Sequence, residues 1–185
     1  MIEKVRTMRL FIGIDLDPNV KNELVFLQEK WLTHASTYHK TSADNLHLTL
    51  KFLGDVDASK IDDIMNALDH YLSEFKPFHI KISGIGSFVR QNEHILWAGI
   101  EDGKERLQTL YKKITAAIQS IPISTDQTKF NPHITLARKV LFLDDDMHQL
   151  PLVSINQKIA SIVLFQSHQV NGKLTYTLLD YIHLK

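Results

Sequence analysis

Asn45-Leu46-His47-Leu48-Thr49-Leu50-Lys51-Phe52-Leu53-Gly54 and Asn131-Pro132-His133-Ile134-Thr135-Leu136-Ala137-Arg138 are two versions of one short pattern in a chain of 185 residues. Each reads histidine, aliphatic, threonine, leucine, with an asparagine two positions ahead of the histidine. In a strand, alternate residues share a face, about 6.5–7 Å apart along the chain. His47 and Thr49 therefore point one way, and Leu46, Leu48 and Leu50 the other. His133 and Thr135 likewise share a face, with Ile134 and Leu136 behind them. The aliphatic side anchors each strand to a core, and the His–Thr side is left to line a cleft. With 10 histidines in the chain, composition alone yields roughly 0.6 His-x-Thr triplets, and roughly 0.08 once a leucine must follow. One copy is therefore weak evidence and the pair is strong. A matching strand in each half of the chain predicts two similar lobes facing each other.

Residues 9–16 lead into the first motif as a strand, with Leu10, Ile12, Ile14 and Leu16 on one face and Phe11, Gly13 and Asp15 on the other. Asp17-Pro18 reads as an N-cap and a first-turn proline. Val20, Leu24, Leu27 and Trp31 then recur at helical spacing. After the strand at 45–53, Gly54, Asp55 and Asp57 announce a turn and a second helix along Ile61, Ile64, Leu68 and Tyr71 or Leu72. Strands are predicted at 78–83 and 94–100, around a loop near 90–93. A third helix opens at Asp102-Gly103, turns Leu107, Leu110 and Ile114 inward, and ends near Ile121-Pro122. A polar loop at 124–129 precedes the strand at 133–137. The segments 159–170 and 174–184 flank Asn171-Gly172, a strong hairpin signal. Hairpins mixed with helices predict an α+β fold with mainly antiparallel sheets.

Composition narrows the function. The 21 basic and 21 acidic residues cancel, whereas proteins that track long nucleic acids carry a positive excess. If RNA is bound, an end or a short oligomer fits better. Cysteine is absent, which removes disulfides, a cysteine nucleophile and a zinc–thiolate site, and accords with the cytoplasm. No apolar run reaches the roughly 20 residues of a membrane span. The N-terminal stretch does not read as a secretory signal, because Asp15 and Asp17 end its apolar run.

The histidines and threonines suit one kind of chemistry. Displacement at phosphorus needs a base for the nucleophile and an acid for the departing oxygen. Histidine serves as either near neutral pH. Two histidines on facing walls flank a phosphorus atom, and two threonine hydroxyls donate to its non-bridging oxygens. No metal or other cofactor is required. The spacing does not say which histidine is the acid. The other histidines lack ligand spacing, so no metal site is assigned, and Asp144-Asp145-Asp146 reads as a solvated run.

These residues resemble the signature of the 2H phosphoesterase superfamily, and most closely its RNA 2′,3′-cyclic phosphodiesterases, also called 2′-5′ RNA ligases. Besides the two motifs, residues 8–16, Leu96-Trp97-Ala98-Gly99 and the closing hairpin at 164–184 resemble that family. The resemblance implies one bilobal domain over 1–185, with two mainly antiparallel sheets flanking a central cleft and helices outside. It implies hydrolysis of an RNA 2′,3′-cyclic phosphate to a 2′-phosphomonoester, with 2′-5′ joining as a related activity. His47 would be the proton donor and His133 the proton acceptor. Thr49, Thr135 and Arg138 would bind phosphate.

By simple alternation Arg138 falls on the wrong face, so a bend or bulge is required. Phe11 is a candidate platform for the terminal base; a core aromatic is the plainer reading. The family often carries an arginine–tryptophan pair shortly before the first motif, where this chain has His39 and Lys40. A monomer acting on an RNA 3′ end is expected. The alternatives are a related enzyme for 2′-5′ oligonucleotides or a sugar-nucleotide cyclic phosphate, and a non-catalytic RNA-end binder.

Overall fold

The computed structural model describes residues 6–90, 93–125, 129–143 and 154–185. The acidic triplet at 144–146 and the middle of the 124–129 loop lie outside them. The chain runs β1 (Thr7–Asp15), α1 (Pro18–Leu32), β2 (Ala35–Lys40), β3 (His47–Asp57), α2 (Ile61–Leu72), β4 (Phe78–Arg90), β5 (Glu93–Asp102), α3 (Lys104–Gln119), β6 (His133–Phe142), β7 (Ser154–Ile159), β8 (Ser161–Val170) and β9 (Lys173–His183). This is the α+β, mostly antiparallel architecture expected from the mixture of hairpins and helices.

One set of strands is ordered β7-β4-β5-β6, with β2 also paired to β6; the other is β3-β1-β8-β9. Every strand pairing is antiparallel. The two sets meet at one residue pair, Leu48 with Ile134, the aliphatic positions at the centres of the two motifs. Both are fully buried. The hydrogen-bonded ladder thus runs through all nine strands but narrows to a single joint at the motifs.

The helices cover the outer face, and α1 and α3 cross to the set of strands they do not follow. α1 follows β1 in sequence yet packs on β2, β6 and β7, whereas α2 and α3 pack on each other and beneath β9 and β3. Pro18 opens α1 as expected, but Asp17 makes no side-chain cap bond; its backbone N–H instead donates to Gln157 Oε1 at 3.0 Å. α2 starts one 3-10 turn after Asp57, whose carboxylate accepts from the Ser59 N–H. α3 ends at Gln119, before Ile121-Pro122. Asn171 and Gly172 both take positive φ, 50° and 75°, the conformation that a two-residue hairpin turn demands.

β2 was not anticipated. Its sequence, ASTYHK, is exposed or half-buried throughout, so it carries no apolar alternation to announce it. The predicted 159–170 strand is β8, which starts at Ser161; β7 was not anticipated either. Behind the sheets one continuous apolar cluster runs from β1 through α1, α2 and α3 to β8. A second, small cluster of Phe11, Val163 and Phe165, with Tyr176 against it, is separate and lies beside the first motif.

Candidate active site

The two motifs share more than sequence. Along β3, Gly13 pairs with Thr49 but Ile12 pairs with Lys51, so Leu50 is an extra residue. Along β6, Trp97 pairs with Thr135 but Leu96 pairs with Ala137, so Leu136 is extra. Each bulge falls three residues after the histidine. An extra residue reverses the alternation beyond it. Leu50 and Lys51 are accordingly both buried, as are Leu136 and Ala137. The next residues, Phe52 and Arg138, return to the histidine face and are exposed. The bulge that Arg138 needed is therefore present, and its twin turns Phe52 outward at the matching place.

Continued outward from the single ladder pair Leu48–Ile134, the antiparallel register sets His47 toward Thr135 and Thr49 toward His133. The four polar side chains make a square on one face. Diagonal neighbours in such a ladder lie about 7–8 Å apart, room for a phosphoryl group between two imidazoles. Both rings are oriented by the same device. His47 Nδ1–H donates to the Asn45 carbonyl at 2.7 Å, and His133 Nδ1–H donates to the Asn131 carbonyl at 2.7 Å. A carbonyl only accepts, so each neutral imidazole keeps its proton on Nδ1 and turns Nε2 toward the cleft. The Thr49 hydroxyl donates to His47 Nε2 at 2.9 Å.

The two histidines sit on different beds. His47 lies against Phe11 at 4.9 Å and edge-on to Tyr176 at 5.0 Å. Burial among these rings pushes its pKa down to about 4; the bond to the Asn45 carbonyl opposes this, and the Arg138 charge adds to it. His133 meets Phe88 edge-on at 5.1 Å and Trp97 at 6.4 Å. Trp97 lies flat over Gly86, where a Cβ would come within 2.2 Å of the indole. At Gly13, beside His47, a Cβ would press the Leu48 carbonyl at 2.9 Å. These two glycines let each bed close up behind its histidine.

Phe11 is only 1% exposed and stacks on Phe165 at 4.9 Å and 15°. Its ring forms the buried layer beneath His47, and the exposed ring of that cluster is Phe52, at 54%. A cavity of about 750 Å3 begins at these rings and is lined by Phe11, Phe52, Arg138, His168 and Tyr176 among others. It adjoins the histidines rather than enclosing them. His39 and Lys40, on β2, pair with Arg138 and Ala137 across the ladder, and Lys40 is committed to Glu29 at 2.9 Å.

Two supporting residues hold the motifs in place. Asn45 is buried, and its side chain donates to the Leu174 carbonyl and accepts from the Tyr176 N–H, tying the first motif to β9. Gln28, fully buried on α1, donates to the carbonyls of Thr41 and Leu136. The second of these is the bulge residue of the other motif. An asparagine two places before each histidine was visible as a repeat; a glutamine on a helix far from either was not.

Known proteins match this chain closely. A model of the 2′-5′ RNA ligase superfamily matches residues 19–157. The RNA 2′,3′-cyclic phosphodiesterase of Thermotoga maritima is 34% identical over 138 residues, covering 74% of this chain and 73% of that protein. The RNA 2′,3′-cyclic phosphodiesterase of Methanocaldococcus jannaschii is 32% identical and covers 75% of each. Among solved structures, E. coli LigT crystallised with 3′-AMP shares the fold, with a TM-score of 0.80, 24% identity, and 97% of this chain and 99% of that one aligned.

Proposed function

The chain belongs to the 2′-5′ RNA ligase superfamily, and on that premise we propose that it is an RNA 2′,3′-cyclic phosphodiesterase, a phosphoric diester hydrolase yielding a 2′-phosphomonoester. The observation that carries the reading is the square of His47, Thr49, His133 and Thr135 about the Leu48–Ile134 joint, with both imidazoles held in the Nδ1–H form.

In this reading the cyclic phosphate lies between the histidines. His133 Nε2 takes a proton from water as the oxygen attacks phosphorus. His47 Nε2 delivers a proton to the departing 3′ oxygen, and the 2′ oxygen keeps the phosphate. The Thr49 and Thr135 hydroxyls and the Arg138 guanidinium hold the non-bridging oxygens, where charge gathers in the transition state. Two imidazoles cover both proton transfers, so the scheme calls for no metal. The terminal nucleoside occupies the cavity beside Phe52 and Tyr176, with Phe11 beneath His47. We treat residues 1–185 as one bilobal domain, which the shared core supports. The protein acts as a monomer in the cytoplasm, and the absence of cysteine supports that location.

The test is to incubate purified protein, in EDTA, with a short RNA ending in a 2′,3′-cyclic phosphate and to identify the product. The expected product is a 2′-phosphate, and His47→Ala and His133→Ala each lose at least about a hundredfold in rate while staying folded. A 3′-phosphate, or a histidine variant that retains its rate, refutes the assignment.

A further inference from the structure

As the acid, His47 must carry a proton when the 3′ oxygen departs. Its surroundings oppose that charge. Burial against Phe11 on β1, Phe165 on β8 and Tyr176 on β9 disfavours the imidazolium most. Two cations push the same way, Arg138 on β6 and Lys21 on α1. Of the charged side chains acting on the ring among the described residues, Asp15 on β1 favours the protonated form.

Asp15 is the ladder partner of His47 across β1 and β3. The two side chains therefore stand on one face, with Cβ atoms about 4.5–5.5 Å apart. β1 also runs close to the ring: a Cβ on Gly13 would sit 3.5 Å from His47 Cδ2, the carbon beside Nε2. A bare carboxylate on this face would repel the phosphate that the cleft receives. Lys21 offsets that repulsion, with Nζ 2.7 Å from Asp15 Oδ1; the lysine side chain is 17% exposed and the aspartate 45%. The Leu16 N–H donates to the same oxygen at 3.0 Å, and Lys21 lies in the first turn of α1, so both partners are held in place. An ion pair this exposed contributes little to stability, which leaves its placement against His47 to be explained by function.

We propose that Asp15 is the positioning residue that keeps the transferable proton on His47, and that Lys21 limits how strongly it does so. The inference rests on the reading of His47 as acid. Asp15 acts through the imidazole and touches neither the phosphate nor the leaving oxygen. Nδ1–H is already committed to the Asn45 carbonyl, so the proton to be delivered is the one on Nε2. A negative charge beside the ring raises the share of imidazolium that carries both protons. Lys21 screens the carboxylate from the incoming phosphate at the expense of part of that effect.

The experiment titrates the His47 ring by NMR in the wild type, Asp15→Asn, Lys21→Met and the double variant, with His47→Ala identifying its signal. Hydrolysis of the cyclic-phosphate RNA is measured for each. The expected shifts have opposite signs: Asp15→Asn moves the His47 midpoint down from about 4 and Lys21→Met moves it up, with the double variant between them. In Asp15→Asn, kcat at pH 7 falls at least about threefold while KM is unchanged or lower, because losing a carboxylate does not weaken phosphate binding. A merely structural ion pair is broken by the loss of either partner, so both variants would shift the midpoint the same way or not at all. That result overturns the proposal, as does an Asp15→Asn variant with the wild-type midpoint and kcat. Should Asp15→Asn fail to fold, Lys21→Met decides alone: an upward midpoint supports the proposal, and an unchanged or lower one overturns it. A wild type that does not hydrolyse the RNA refutes the proposed function and this role with it; the ring titration needs no substrate and keeps the two failures apart.

Discussion

His47 is half-buried between Phe11 and Tyr176. Burial holds its pKa at about 4, and the Arg138 charge pushes the same way. Near neutral pH the imidazole of the free enzyme is therefore uncharged. An incoming phosphate reverses the local balance, because a negative charge beside the ring favours its protonated form. This has a measurable signature, since kcat/KM reports the ionisation of the free enzyme. The limb of kcat/KM that reports this group is expected to have its midpoint near 4, and His47→Ala removes it. Arg138→Gln removes a positive charge and moves that midpoint upward. Exchanged acid and base roles give the same profile, since both arrangements carry the same number of protons; a profile with no limb near 4 overturns the depressed value. The sequence named His47, Thr49, His133 and Thr135 because alternation alone puts them on one face. Arg138 needed more. Its return to that face depends on Leu136 being an unpaired residue in the ladder, which a pattern of apolar and polar letters does not encode.

At the scale of elements, the β6 bulge is held from outside the strand that carries it. The Leu136 carbonyl, freed by the bulge, accepts from the Thr41 backbone N–H at 2.9 Å and from Gln28 on α1. Gln28→Ala strands the Thr41 carbonyl and is expected to cost about 1–3 kcal/mol. Urea denaturation reads this as a lower midpoint at unchanged slope; a midpoint equal to the wild type's would show that the buried amide is dispensable. The helices and most strands could be placed from periodicity because each buries one stripe or face, as Val20, Leu24 and Leu27 do on α1. β2 could not, since no side of Ala35–Lys40 is buried. Its place comes from backbone pairing with β6, which any sequence of suitable shape can supply.

For the molecule as a whole, the two sheets join at one ladder pair but share an apolar core. A shared core predicts one cooperative unfolding transition despite the narrow joint. Both tryptophans report on one side: Trp31 lies on α1, which packs on β2, β6 and β7, and Trp97 lies on β5. Their fluorescence and the far-ultraviolet circular dichroism of the whole chain are expected to coincide through a urea titration. Separate midpoints would show two lobes that melt independently.

By itself the sequence determined the α+β class, the two strands that carry the histidines, the face those side chains share and the closing Asn171-Gly172 turn. All of these follow from contacts between near neighbours in the chain, where periodicity and turn chemistry are enough. Tertiary structure alone decided that Leu48 meets Ile134, that the paired bulges turn Phe52 and Arg138 toward the cleft, and that α1 supports the motif of the other sheet. It also decided that Phe11 is covered and that Asp15 lies across from His47. Each of these is set by residues far apart in sequence competing for the same space and the same hydrogen-bond partners, and that competition is resolved only when the chain is packed.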